Sequence, residues 1–219
     1  MPQHLYIMLS RTGTGMGKII RAFTKSEYNH VSLTLDEKLH HFVSFARYTQ
    51  GVALAGGFVE ETPARFLSCG QPVPVRIFRV EVPHARYEQL QTVFSLASKR
   101  ETGLIYNSLG ALLSACHLRC HIPGAYSCLE FATTVLEQPF RSLQELARYL
   151  EPYEIYRGDF GNLNTDSGNR SEPYFTHRGF FRGTADTTVH FIRLTGRLLR
   201  ISRCNDPLKY IETRKTAPR

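Results

Sequence analysis

An α+β domain, with an antiparallel sheet packed against helices, is the fold class this sequence predicts. Three observations carry that expectation. Short runs in the first half alternate apolar with polar residues or are rich in β-branched residues, which suits strands. Longer runs in the second half repeat apolar residues at helical spacing, and the break between the second and third strand candidates is short enough for a hairpin.

The elements follow in order. Leu5-Tyr6-Ile7-Met8-Leu9 is apolar throughout and predicts a buried first strand. It is short, lacks a basic leader and a small-residue cleavage site, and soon meets Arg11, so it does not read as a signal peptide. Gly13, Gly15 and Gly17 punctuate a turn, and Ile19, Ile20 and Phe23 have the spacing of a short amphipathic helix. Val31, Leu33 and Leu35 then alternate with His30, Ser32 and Thr34; Asp36-Glu37-Lys38 turns the chain, and Leu39 to Ala46 returns antiparallel. A glycine-bearing loop with Gly51, Gly56 and Gly57 leads to Phe58 and Val59. Val73 to Val82 is a further strand, and Tyr87 to Lys99 is a helix with Leu90, Val93, Phe94 and Ala97 on one face. Leu104 to Cys116, Cys128 to Leu136 and Leu143 to Leu150 read as helices, and Tyr153 to Tyr156 closes the sheet. Asn162 to Pro173 is linker-like, and Val189 to Ile201 suits either helix or strand. The expected organisation is a main domain over 1–160, a linker over 161–173 and a basic extension over 174–219.

Composition narrows the class. At 219 residues the chain can bury one sizeable core. Five cysteines, Cys69, Cys116, Cys120, Cys128 and Cys204, are an odd number with no regular framework, so reduced thiols and a soluble, cytoplasmic protein are the expectation. Leu104 to Ala115 is too short to span a bilayer. The net charge of +8 is uneven, since residues 171–219 hold 10 basic and 4 acidic side chains.

The chemistry centres on Tyr126-Ser127-Cys128-Leu129-Glu130-Phe131, where a cysteine opens an apolar helix, and on Asn29-His30-Val31-Ser32-Leu33, a strand carrying a histidine. A thiolate is favoured by the partial positive charge of a helix N-terminus, and an imidazole can take its proton. These two segments, with Leu9-Ser10-Arg11-Thr12-Gly13 and Phe42-Val43-Ser44-Phe45-Ala46-Arg47, resemble the circularly permuted papain-like amidases. That family is the permuted branch of the NlpC-type peptidase superfamily, related to lecithin:retinol acyltransferase and including several bacterial hydrolases. The resemblance covers about residues 3–160 and rests on order, histidine strand first and cysteine helix later. It implies a permuted papain-like fold, Cys128 as nucleophile, His30 as base, no cofactor and no metal, and a peptide-like or acyl substrate. Water or another acceptor then resolves the acyl-enzyme, so hydrolase and acyltransferase share these residues.

The family's third member is a polar side chain on the following strand, and here His40, His41 and Ser44 compete. A three-residue loop, Asp36 to Lys38, would place Ser44 opposite His30 and leave Val31, Leu33 and Leu35 facing Val43, His41 and Leu39. A two-residue loop would place His41 opposite Ser32 but set Val31, Leu33 and Leu35 against Phe42, His40 and Lys38. The first register buries more apolar surface and favours Ser44, while His41 is the more familiar orienter.

Other motifs carry less. Gly13-Thr14-Gly15-Met16-Gly17-Lys18 departs from a phosphate loop at Thr12 and Ile19. Cys116, His117, Cys120 and His121 fall within six residues, whereas a closed zinc site usually draws on two segments. Arg193, Arg197, Arg200 and Arg203 would form a basic stripe on a helix, beside Phe191, Leu194, Leu198 and Leu199, able to meet a polyanion or an anionic membrane. The function expected is therefore a thiol-dependent hydrolase or acyltransferase. A catalytically silent binding module using its cleft or basic tail is the competing class.

Overall fold

The computed structural model of the chain describes residues 2–13, 26–49, 52, 55–67, 71–97, 103–114, 120–163, 174 and 180–198. Eight strands run as β1 Gln3–Ser10, β2 His30–Thr34, β3 Phe42–Arg47, β4 Gly56–Glu61, β5 Pro74–Val82, β6 Ile105–Tyr106, β7 Ala125–Tyr126 and β8 Glu154–Asp159. They form one open sheet in the order β7-β6-β4-β3-β2-β1-β5-β8. Every neighbouring pair is antiparallel except β6 and β7, which run parallel. Six α-helices are described: α1 Pro63–Leu67, α2 His84–Phe94, α3 Ser108–Ser114, α4 Cys128–Leu136, α5 Leu143–Tyr149 and α6 Phe180–Leu198. The molecule is thus α+β with a mixed, mostly antiparallel sheet.

The sheet is covered on both faces, which explains why β1 is buried without alternation from Leu5 to Ser10. On one side Leu5, Ile7, Leu9, Val31, Leu33, Phe45 and Phe78 pack with Phe131, Ala132 and Val135 of α4 and with Leu90 and Val93 of α2. On the other, Met8 joins Phe42, Phe66, Val75, Ile77 and Phe160. Phe131 contacts Phe45 and Phe58 edge-on, at centroid separations of 5.4 and 5.1 Å. Burying one such ring contributes about 1.5–3 kcal/mol, so this aromatic cluster fixes α4 against the sheet.

The hairpin differs from both expected registers. Leu33 pairs with Val43, two residues beyond the three-residue-loop register. The cause is Asp36, whose carboxylate accepts from the backbone N–H groups of Lys38 and His40 at 2.9 Å each. Leu39 takes a left-handed conformation at φ 58°, so the turn is longer than three residues. A slip of two preserves which residues share a face, and Ser44 keeps the side expected of it while moving away from the position opposite His30.

Gly56 and Gly57, expected in a loop, lie within β4. A Cβ on Gly57 would stand 2.2 Å from the Tyr48 hydroxyl and 2.9 Å from the Leu104 carbonyl oxygen, so glycine here permits close strand approach. The expected helix from Leu104 begins instead as β6. Asn107 ends that strand and starts α3, its Oδ1 accepting from Gly110 N at 2.7 Å.

Beyond residue 163, α6 resolves the helix-or-strand alternative for its part of the chain. It docks on the β6–β7 end of the sheet through Leu194, which packs with Ile105, Ile122 and Ala125. His190 bonds the Tyr106 carbonyl at 2.9 Å, and the Arg197 guanidinium donates to the carbonyls of Gly103 and Gly124. Arg197 is therefore turned to the body of the protein and does not join an outward stripe, while Phe191 and Leu198 are exposed. The expected glycine-rich turn and helix at 14–25, the linker positions 164–173, Cys69, Cys116, His117, Arg200, Arg203 and Cys204 lie outside the described residues. No described helix is long and apolar enough to cross a membrane.

Candidate thiol site

Cys128 is the first residue of α4, as its sequence context suggests. Ser127 is the N-cap: its hydroxyl accepts from Glu130 N at 3.2 Å, and the Glu130 carboxylate accepts from Ser127 N at 2.6 Å. This reciprocal capping box fixes where the helix begins and so which side chain stands on its first turn. Tyr126 just before it is fully buried against Phe45, and Asn107 donates to the Cys120 carbonyl at 2.7 Å, holding the approach to the cap.

His30 opens β2. The preceding Asn29 bridges the backbone of Thr12, accepting from its N–H at 2.8 Å and donating to its carbonyl at 3.1 Å. Ser10 pairs with His30 in the neighbouring strand, so the histidine enters the sheet at a fixed register. Because α4 lies against β2 and β3, the Cys128 thiol stands close enough to the His30 ring to bear on its charge.

The third group is Glu61, the last residue of β4. His30 Nε2 lies 2.9 Å from Glu61 Oε2 and 3.2 Å from Oε1. With Nε2 engaged by the carboxylate, Nδ1 is the ring nitrogen left for the thiol. Ser32 and Ser44 each donate a hydroxyl to Glu61 Oε2 at 2.7 Å, and Arg65 Nε stands 3.2 Å from Oε1. The partner of the Ser44 hydroxyl is thus the Glu61 carboxylate and not the imidazole. His41 is outside the arrangement, exposed and paired with Glu60 at 2.6 Å. It is therefore not turned toward the core, as the preferred register would have required.

Burial decides the electrostatics. Glu61 is 2 % exposed and His30 12 %. Burial disfavours the charged imidazole, yet the Glu61 carboxylate and the hydrogen bonds to Cys128 and Glu61 outweigh it and lift the ring to about 10. Burial alone would likewise raise Glu61, but the His30 and Arg65 charges and the hydrogen bonds hold it well below the usual carboxylate range. At neutral pH the ring is an imidazolium that can stabilise a thiolate. Tyr106 is buried beside this group, and burial followed by the influence of Cys128 pushes its phenol well up, so it keeps its proton and can donate.

Glu61 escapes a sequence reading because Gly56 and Gly57 disguise its strand as a loop. A usable signal was present: Glu61 and Arg65 stand at i and i+4 where α1 begins, a spacing suited to an ion pair. Among the described residues no group of three or more His, Cys, Asp or Glu is arranged to hold a metal ion.

A pH dependence follows. A ring lifted from 6.5 to about 10 adds stability that is complete below 6.5 and disappears as pH rises through 10. Glu61, lowered from 4.5, adds stability that is complete above 4.5 and is lost on acidification. The gap in unfolding free energy between the parent and His30→Gln should therefore narrow from pH 6.5 to 10, measured by urea denaturation. A gap independent of pH would contradict the assignment of the ion pair.

No family model, curated protein or solved structure matches the chain.

Proposed function

We propose that this protein is a thiol-dependent hydrolase or acyltransferase that acts on an amide or ester carbonyl, with Cys128 as nucleophile, His30 as base and acid, and Glu61 as orienter. The observation that carries this reading is the grouping of Cys128 at a helix start, beside His30 at an adjacent strand start, with His30 bonded to Glu61 at a strand end. The same order, histidine strand before cysteine helix, supports a permuted papain-like arrangement of the sheet and α4.

The thiolate attacks the carbonyl carbon, and the oxyanion is held by the Cys128 backbone N–H at the helix start, with the Tyr106 hydroxyl as a second donor. The His30 imidazolium gives its proton to the departing amine or alkoxide. The neutral ring then takes a proton from water or from another acceptor, which attacks the thioester and frees Cys128. Glu61 stays ionised throughout and keeps Nδ1 directed at the sulfur. Peptide-like and lipid acyl groups are the substrate classes that suit this chemistry.

Iodoacetamide labelling followed by peptide mapping tests the nucleophile. Cys128 should label fastest near neutral pH, and His30→Ala should slow it toward an ordinary thiol. Incubation with a panel of peptide amides and acyl esters, read by intact mass, should trap an acyl group on Cys128, and His30→Ala should reduce turnover by about 10²–10⁴-fold. Faster labelling of Cys120 with Cys128 spared would remove the nucleophile assignment. Fast labelling of Cys128 with no acyl adduct from any substrate would favour a silent binding module.

A further inference from the structure

Tyr174 lies far along the chain from the groups proposed above, yet its ring is buried beside them. The Arg65 guanidinium carbon sits 4.1 Å from the centroid of the Tyr174 ring, and Arg47 donates to the Tyr174 hydroxyl at 2.9 Å. Arg65 also donates from Nη2 to the Arg47 carbonyl at 2.7 Å while its Nε faces Glu61 Oε1 at 3.2 Å. The guanidinium is thus fixed on three sides: by a strand carbonyl, by the carboxylate and by the aromatic face. A flat aromatic face holds a guanidinium plane by cation–π attraction, which is stronger when both are out of water.

We propose that Tyr174 is a positioning residue for the Glu61–His30 pair, acting through Arg65. The proposal rests on the function read above, and it gives the segment beyond the main domain a part in setting the site's charge balance. Glu61 Oε2 takes Ser32, Ser44 and His30, whereas Oε1 is shared between Arg65 Nε and His30 Nε2, each at 3.2 Å. The groups that bear on His30 are Glu61 from β4, Cys128 from α4 and, through the carboxylate, Arg65 from α1. Holding Arg65 against Oε1 divides the carboxylate's negative charge between two cations. Releasing it leaves more of that charge to the imidazolium.

The test follows the His30 titration by imidazole NMR in the full chain, beside the pH profile of Cys128 alkylation. Tyr174→Phe keeps the ring under Arg65 and should leave the His30 midpoint unchanged. Tyr174→Leu removes the aromatic face and should raise the midpoint by about half a unit. Pentafluorophenylalanine at position 174 keeps the shape while reversing the ring's electrostatics, and should raise the midpoint as leucine does even if the leucine variant does not fold. Arg65→Gln should give a rise at least as large, and adding Tyr174→Leu to it should give no further rise. A midpoint unmoved by both the leucine and fluorinated replacements, or moved equally by phenylalanine, would overturn the proposal. The His30 midpoint requires no substrate, so a Cys128 that fails to acylate would count against the proposed activity and leave this result intact.

Discussion

Glu61→Ala should lower stability by about 3–5 kcal/mol, the usual cost of removing one member of a buried charge pair. The variant leaves the Arg65 and His30 charges without their carboxylate and deprives the Ser32 and Ser44 hydroxyls of their acceptor. Against a total stability of about 5–15 kcal/mol for an ordinary domain, this is a large fraction. Glu61→Gln separates charge from shape. It retains an oxygen acceptor for the serines but removes the field that overcomes burial, so the His30 midpoint should fall from about 10 and the thiol should lose its activation near neutral pH. Urea denaturation reads the first effect, and the alkylation rate of Cys128 against pH reads the second. A Glu61→Gln variant that alkylates with the parent's profile would show that the carboxylate charge does not set the thiol's reactivity.

Removal of α6 should be almost as damaging. Leu194→Ala deletes the side chain that packs on Ile105, Ile122 and Ala125 and should cost about 2–5 kcal/mol. Ending the chain after Gly168 also removes His190 and Arg197, whose bonds reach Tyr106, Gly103 and Gly124 around the parallel β6–β7 pair. That pair leads directly into Ser127 and Cys128, so the truncated chain should melt at lower temperature and label its cysteines with little selectivity. Composition and charge suggest a separable basic tail, whereas these contacts predict dependence. Thermal unfolding and cysteine mapping of the truncated chain check it, and a product as stable and selective as the parent would restore separability.

The residues differ in how far their places in the fold can be read without coordinates. Cys128 and α4 were legible because the determinants are local: a polar cap, a glutamate three residues on and an apolar face at helical spacing. His30 was legible because β2 alternates. The hairpin register was not, because it is set by the Asp36 carboxylate closing a longer turn, and alternation is unchanged by a slip of two. Glu61 was hidden for a different reason. Its strand begins with two glycines whose purpose is close contact with β3 and with Leu104, and glycines ordinarily mark loops. The tail's docking depended on single residues, His190, Leu194 and Arg197, meeting partners far away in the chain, which no local pattern announces.

The distances in sequence between these partners also bear on when the surroundings of Cys128 are assembled. His30 and Glu61 are 31 residues apart, but Tyr106 and His190 are separated by 84, and Arg197 and Gly103 by 94. Closing such spans costs chain entropy before their contacts repay it, so this region is expected to order late in folding. On a nascent or unfolded chain Cys128 has neither a fixed helix start nor a neighbouring imidazolium, and it behaves as an ordinary thiol. On the proposed function, activation of Cys128 would therefore timestamp completion of the fold. On that reading, molecules still searching for their structure would be spared the side reactions of an activated thiol, and the fraction of Cys128 that labels fast would report the fraction of finished molecules.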